Sequence, residues 1–320
     1  MDIYCIGEIV ADFLPGEEEN VYIRNFGGAV ANVAVACARC GLMAGILCKV
    51  GDDDHGCFLE KTLEKENVKI LSSQRCTDAV TTMAFVSLDE TGERSFTFAR
   101  KPGADMFLSP DEVKEEDIRN SVIVHAGSCS LSAKMSAEAT KKAILLGHKY
   151  GKIVSFDVNY RGNMWNGEKE KCIRAVEEIL PFCDLLKVSE EESDMLCGKE
   201  SLPDLLKKYS LTAIVHTLGS MGAKVYYSKG ILKEKGYNVI AADTTGAGDA
   251  FWGAFLSSLI IQNAGQRKNI TEDVLKKALK YGNISGALSV QKKGAITSLP
   301  TKDQIEKVLA GKLRSMSAFR

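Results

Sequence analysis

Apolar residues follow two rhythms along the chain. Short, almost wholly apolar runs at 3–9, 45–50, 122–125, 153–157, 185–188 and 213–217 predict strands buried on both faces. Between them, helical spacing of apolar positions predicts helices at 28–40, 54–66, 134–149, 168–180 and 190–196, followed by two longer ones at 247–262 and 272–290. Gly41 stops the first helix, and acidic residues cap the start of the second. This alternation predicts an α/β fold: a doubly wound, mostly parallel sheet with helices on both faces. A ligand is then expected beyond the carboxyl ends of the strands. Two stretches break the rhythm. Polar and acidic residues follow Asp12 to about Asn25, and strand-like runs at 80–88 and 94–98 flank the hairpin signature Asp89-Glu90-Thr91-Gly92 without a crossover helix. They predict a small β-structure projecting from the main sheet, inserted around 13–26 and 80–100 into a single domain spanning 1–320.

Composition narrows the class. Lysine plus arginine total 41 and aspartate plus glutamate 42, a net charge of −1, which argues against a dedicated nucleic-acid binder and leaves a local phosphate site open. No apolar stretch approaches the length of about 18 residues that a membrane span needs. Met1 is followed by no basic-then-apolar leader, so the ten cysteines are expected as reduced thiols in a cytoplasmic protein. Cys37 and Cys40 form a C-x-x-C without a second ligand pair inside a helical pattern, which favours buried small side chains over zinc.

The chemistry concentrates in Asp243-Thr244-Thr245-Gly246-Ala247-Gly248-Asp249-Ala250-Phe251, where a glycine-rich turn opens a helix. The free amides of a first helical turn, with the helix dipole, bind an anion without basic residues. A P-loop spelling is absent, and the next glycine after Gly248 is Gly253, two positions late for a dinucleotide fingerprint. Asp249 would repel a polyphosphate, and makes sense as a general base that takes a proton from an attacking hydroxyl. A capping aspartate is the plainer alternative at this point.

This segment resembles the C-terminal signature of the ribokinase-like sugar kinases, the phosphofructokinase-B family. A second match, Gly27-Gly28-Ala29-Val30-Ala31-Asn32, stands in the right order before it, and the resemblance runs through Thr217-Leu218-Gly219-Ser220-Met221-Gly222 to the tail at 294–300. It implies a doubly wound core with a β lid over the sugar, and transfer of the γ-phosphate of ATP, with Mg2+, to a sugar hydroxyl. It also implies roles for particular residues. Asp249 becomes the base, Gly246, Ala247 and Gly248 the anion hole, and Asp12, Gly27, Gly28 and Asn32 the sugar site. Arg161, within Asp157-Val158-Asn159-Tyr160-Arg161, would face the sugar or the transferring phosphate. Thr217, Gly219, Gly222, Gly246, Gly248 and Asn283 would line the nucleotide site. Glu192 would hold magnesium through water, with Ser189 standing where the family usually has asparagine. Asp243, Thr245, Gly294 and Ser298 would surround a monovalent cation, K+. Within the family, the stretches 27–32, 100–105 and 293–300 are most similar to bacterial fructokinases. A ketodeoxygluconate kinase, with Lys101 or Arg161 on the substrate carboxylate, is the nearest alternative, and a sugar-binding regulator a distant one. The partners expected are a sugar, ATP and a second copy joined lid to lid, with no nucleic acid and no membrane.

Overall fold

The chain is described from a computed structural model that covers residues 1–18, 20–72, 74–88, 94–198 and 200–311. The hairpin turn expected at Asp89-Glu90-Thr91-Gly92 lies outside the described residues. In chain order the elements are β1 (Ile3–Ile6), β2 (Val10–Pro15), β3 (Tyr22–Gly27), α1 (Ala29–Arg39), β4 (Ala44–Leu47), α2 (Asp54–Lys65), β5 (Lys69–Ile70), β6 (Met83–Leu88) and β7 (Arg94–Ala99). There follow α3 (Glu115–Arg119), β8 (Ile123–Gly127), α4 (Lys134–Lys149), β9 (Ile153–Asp157), α5 (Lys169–Ile179), β10 (Leu185–Val188), α6 (Glu190–Cys197), α7 (Leu202–Lys208) and β11 (Ala213–Thr217). The last are β12 (Gly222–Tyr227), β13 (Gly230–Lys235), α8 (Ala247–Ile261), α9 (Glu272–Ser289), α10 (Ala295–Ser298) and α11 (Lys302–Leu309).

Among the described residues, nine strands form one sheet in the order β13-β12-β11-β10-β9-β8-β1-β4-β5. The strands from β11 to β5 run parallel, and β12 runs antiparallel to both of its neighbours, β11 and β13. Chain order reverses at β1, which has β8 on one side and β4 on the other, and such a switch point opens a crevice at the strands' carboxyl ends. Alternate side chains feed two cores. Ile3, Ile123, Ile153 and Leu185 join the cluster under α1, α2, α8 and α9, while Tyr4, Val124, Val154 and Leu186 join the one under α4, α5 and α7. That is why these strands read as continuous apolar runs.

Helix α8 is apolar almost all round and is sandwiched between α1 and α9. Its approach to α1 is close. A Cβ placed on Gly253 would strike Ala36 and would stand 3.1 Å from the Val33 carbonyl. Cys37 Sγ lies 3.4 Å from the Gly253 carbonyl oxygen, and both Cys37 and Cys40 are buried. The C-x-x-C is therefore part of this packing.

The second sheet has the order β3-β2-β6-β7 and is built from the two stretches that broke the alternation. The apolar run at 3–9 is two elements. Gly7 packs on Val30, the chain leaves the large sheet after Ile6, and β2 begins at Val10 in the small one. Two carboxylates grip the entry to β6. Asp53 accepts from Thr81 N at 2.7 Å and Thr81 Oγ1 at 2.8 Å while it caps α2. Asp105 accepts from Thr82 Oγ1 and pairs with Arg100 at 2.7 Å, and Arg100 Nη1 donates to the Met164 carbonyl at 3.3 Å. The periodicity did not reveal α7, the β12–β13 hairpin, or the short terminal helices. No described helix is long and apolar enough to cross a membrane.

The α1–α8 contact yields a test. Gly253→Val should destabilise the fold by about 1–3 kcal/mol through overpacking against backbone, read as a lower urea midpoint with an unchanged slope.

Candidate active site

Two helix N-termini meet over the crevice. Helix α1 begins after Gly28, whose φ of 104° is a left-handed conformation that favours glycine, and whose Cβ would lie 2.6 Å from the Glu8 carbonyl. Helix α8 begins after Gly246, with φ 73° and Ala295 3.2 Å from where a Cβ would be. No side chain caps α8, so its first amides remain available to an anion.

Asp249, in that first turn, is 5% exposed. Asn32 Nδ2 donates to its Oδ2 at 2.9 Å, and Asn159 Nδ2 donates to its Oδ1 at 3.4 Å. Burial raises its pKa above the ordinary carboxylate range, while the Asn32 hydrogen bond and the charges of Lys187 and Arg161 pull it back. Asn32 sits one helical turn before Ala36, and Asp249 one turn before Gly253. The tight helix crossing thus sets the amide against the carboxylate.

Asp12 lies on β2, and a Cβ on Gly27 would strike its carboxylate, so the glycine leaves room for it. Burial pushes the Asp12 carboxyl up to about 7, against the opposing charge of Arg161. Glu8, just beyond β1, accepts from Ala29 N at 2.9 Å, and burial pushes it also to about 7. Four buried polar atoms of residues near Asp249 lack a partner among the described residues: Glu8 Oε2, Asn32 Oδ1, Asp157 Oδ1 and Asn159 Oδ1. Unmet acceptors at such density suit a ligand rich in hydroxyls.

A cavity of about 520 Å³ adjoins α8 on its other side. Thr217, Gly219, Gly222, Gly248 and Asn283 line it, together with Tyr237, Phe251 and Val290. Gly246 lies outside that lining, one residue before Ala247, which belongs to it. The Asn283 amide is engaged by the wall itself, donating to the Glu234 and Lys235 carbonyls at 3.1 and 3.3 Å. It holds β13 in place, and the cavity sees its flank.

Arg161 lines a smaller cavity of about 340 Å³ with Tyr160, Lys169, Glu191 and Glu192, and its Nη1 donates to the Tyr160 carbonyl at 3.1 Å. The serine at 189 has a structural explanation. Ser189 caps α6, with Glu192 N donating to Ser189 Oγ at 3.3 Å and Ser189 N to Glu192 Oε2 at 2.9 Å, which is a capping box. Glu192 Oε1 accepts from Tyr160 N at 2.8 Å. The carboxylate therefore fixes the loop after β9 to α6, and burial raises its pKa.

Asp243 knits the glycine-rich turn to the chain before α10. Its Oδ1 accepts from Thr245 N at 3.0 Å and Oγ1 at 2.7 Å, and its Oδ2 accepts from Gly294 N at 3.0 Å. Ser298 Oγ donates to the Ala295 carbonyl at 2.8 Å. The structure thus ties together Asp243, Thr245 and Gly294, three of the four residues expected around a monovalent cation, while the Ser298 hydroxyl is bonded within α10. No group of three or more His, Cys, Asp or Glu among the described residues forms a metal-binding cluster.

Glu8, Asp157 and Lys187 went unassigned in the sequence reading. Each carried a signal, a charge inside an apolar strand run, which is rarely tolerated without a partner or a task.

The whole chain compares closely with proteins of known class. Residues 2–302 match the pfkB family carbohydrate kinases. A probable fructokinase-2 of Arabidopsis thaliana is 35% identical over 309 residues, covering 93% of each chain. The crystal structure of a fructokinase with bound ATP from Xylella fastidiosa superposes with a TM-score of 0.88 at 28% identity, covering 97% of this chain and 98% of that one. A Vibrio cholerae O395 fructokinase bound to fructose, ADP and calcium ion gives a TM-score of 0.85 at 33% identity, covering 95% and 97%. The match over residues 2–302 and relatives 35% identical over most of the chain agree with this fold and with a buried carboxylate at an uncapped helix N-terminus, and the chain belongs to the pfkB family of carbohydrate kinases.

Proposed function

We propose that this ATP-dependent sugar kinase phosphorylates fructose, at the hydroxyl that yields fructose 6-phosphate, with Asp249 as the base. The observation that carries the reading is Asp249 itself, buried at the start of α8 and held by Asn32 and Asn159, with Ala247 and Gly248 of the same helical turn lining the larger cavity. The relatives named above, which are fructokinases, support the choice of sugar.

Asp12 accepts hydrogen bonds from sugar hydroxyls, with the backbone of Gly27 and Gly28 close by and Asn32 orienting both sugar and base. Asp249 takes the proton of the acceptor hydroxyl as its oxygen bonds to the γ-phosphorus. The bond to the β–γ bridging oxygen breaks, and ADP leaves with that electron pair. The first amides of α8, around Ala247 and Gly248, stabilise charge on the phosphoryl oxygens, and Arg161 adds a guanidinium from the far side. Thr217, Gly219, Gly222 and Asn283 form the nucleotide's walls.

Two ions fit the residues present. Glu192 would hold Mg2+ through water, and the oxygens of Asp243, Thr245, Gly294 and Ser298 suit a hard monovalent cation such as K+. When bound, Mg2+ neutralises charge on the polyphosphate. The protein is read as a cytoplasmic homodimer joined through the small sheet. Edge strand β3 exposes Tyr22 and Ile23, at 46% and 54%, beside Val21, and an uncovered apolar edge invites pairing.

One coupled assay of ADP release tests sugar and base together. Fructose should support turnover and ketodeoxygluconate should not, with higher rates in K+ than without it. Asp249→Asn should lower kcat at least about 100-fold and leave ADP affinity unchanged. A variant retaining a tenth of the rate contradicts the base role. Asp12 makes a pH prediction. Its folded pKa, about 7, lies above that of the unfolded chain, so the sugar-free protein loses stability as pH rises from about 4 to about 7. Asp12→Asn should raise the melting temperature at pH 8, change it little at pH 4, and weaken sugar binding. For the dimer, sedimentation at micromolar concentration should give twice the monomer mass, and Ile23→Lys should halve it.

A further inference from the structure

Lys187 projects from β10 toward α8, and its side chain is 5% exposed. Its strand neighbours Leu186 and Val188 point the other way into apolar core. Among the described residues its ammonium has one acceptor, Asp157 Oδ2 at 2.7 Å. An ammonium has three donors, so burial leaves the others without a protein partner. The same nitrogen stands 3.4 Å from where a Cβ on Gly248 would be, which places it beside the uncapped first turn of α8. A buried ion pair adds little stability over well-packed apolar residues, so stability alone is a poor reason for this one.

We propose that Lys187 is a further catalytic residue, whose ammonium, aimed by Asp157, contacts the phosphoryl group during its passage from ATP to the sugar. The proposal rests on the reading that the N-terminus of α8 receives that group. The transferring group spreads negative charge over its oxygens, and a fixed cation in a water-poor site stabilises that charge without reorganising. Burial opposes the charge on Lys187, but Asp157, Glu192 and Asp249 outweigh it and keep the lysine protonated. Asp157 then has a positioning role. Its Oδ2 orients the ammonium, and a lysine free to rotate would instead collapse onto Asp249. No covalent step involves Lys187, and the proton and leaving group follow the path given above.

The test compares wild type with Lys187→Met and with the doubly neutral Asp157→Asn/Lys187→Met, which removes the risk of a buried, unpaired Asp157. Both variants should lose at least about 100-fold in kcat and keep the KM for fructose and the affinity for ADP within about threefold. Affinity for ADP with aluminium fluoride and fructose should fall with kcat, a change that a merely structural pair would not produce. Recovery of the double variant to within tenfold of wild type overturns the proposal. Wild-type protein crystallised with ADP, aluminium fluoride and fructose gives an answer that needs no variant. Lys187 Nζ within about 3.2 Å of a fluoride supports the contact, and Nζ beyond about 4 Å overturns it. An active Lys187→Met beside an inactive Asp249→Asn defeats this inference alone. A wild type inert with every sugar defeats the reading on which it rests.

Discussion

Helices α1 and α8 cross so closely that a single methyl group on Gly253 would collide with Ala36. Close-packed interiors deform little, so this contact fixes the rotation and height of one helix against the other. One turn toward the N-termini, the same geometry sets Asn32 2.9 Å from Asp249. The buried carboxylate is thereby satisfied and aimed. Below it, Trp252 Nε1 donates to Ser155 Oγ at 3.1 Å, and His125 shares that hydroxyl, so α8 is also keyed to β9 and β8 through a polar contact inside apolar surroundings. Burial leaves His125 neutral, with a pKa of about 4.

Around this scaffold the protein confines opposed charges in little space. Glu8, Asp12, Asp157, Glu192 and Asp249 all approach the crevice, and Lys187 and Arg161 answer them. Burial raises Glu8 and Asp12 to about 7, so a ligand or a modest change in pH near neutrality shifts their charge. Burial raises the Asp249 pKa as well, and Asn32, Lys187 and Arg161 partly offset that rise. A net charge of −1 is compatible with phosphate chemistry because the free amides of a helix N-terminus can hold an anion without basic residues.

The small sheet is anchored where it enters and leaves. Asp53 and Asp105 hold neighbouring threonines, 81 and 82, at the start of β6, and Arg100 links the exit of β7 to Asp105 and to the Met164 carbonyl. Met164 closes the turn that follows Asn159 and Arg161. Any movement of the small sheet would therefore act on the loop that contacts Asp249.

The sequence by itself determined much of the scaffold. Continuous apolar runs and helical repeats are local signals, and they placed β8 to β11, α4, α5, α8 and α9 within a residue or two. The glycine-rich turn marked Asp249 because its spelling excluded the usual phosphate loops. Local rules could not decide which charged strand residues share a pocket. Asp157 and Lys187 are 30 positions apart and meet at 2.7 Å only because β9 and β10 are hydrogen-bonded neighbours. Nor could they show that the Asn283 amide is spent on β13, or that Gly253 is small for the sake of Ala36. Each of these depends on what the folded chain brings alongside. Side-chain period and turn chemistry are set over a few residues, whereas the pairing of buried charges and the closeness of two helices are set by long-range packing alone.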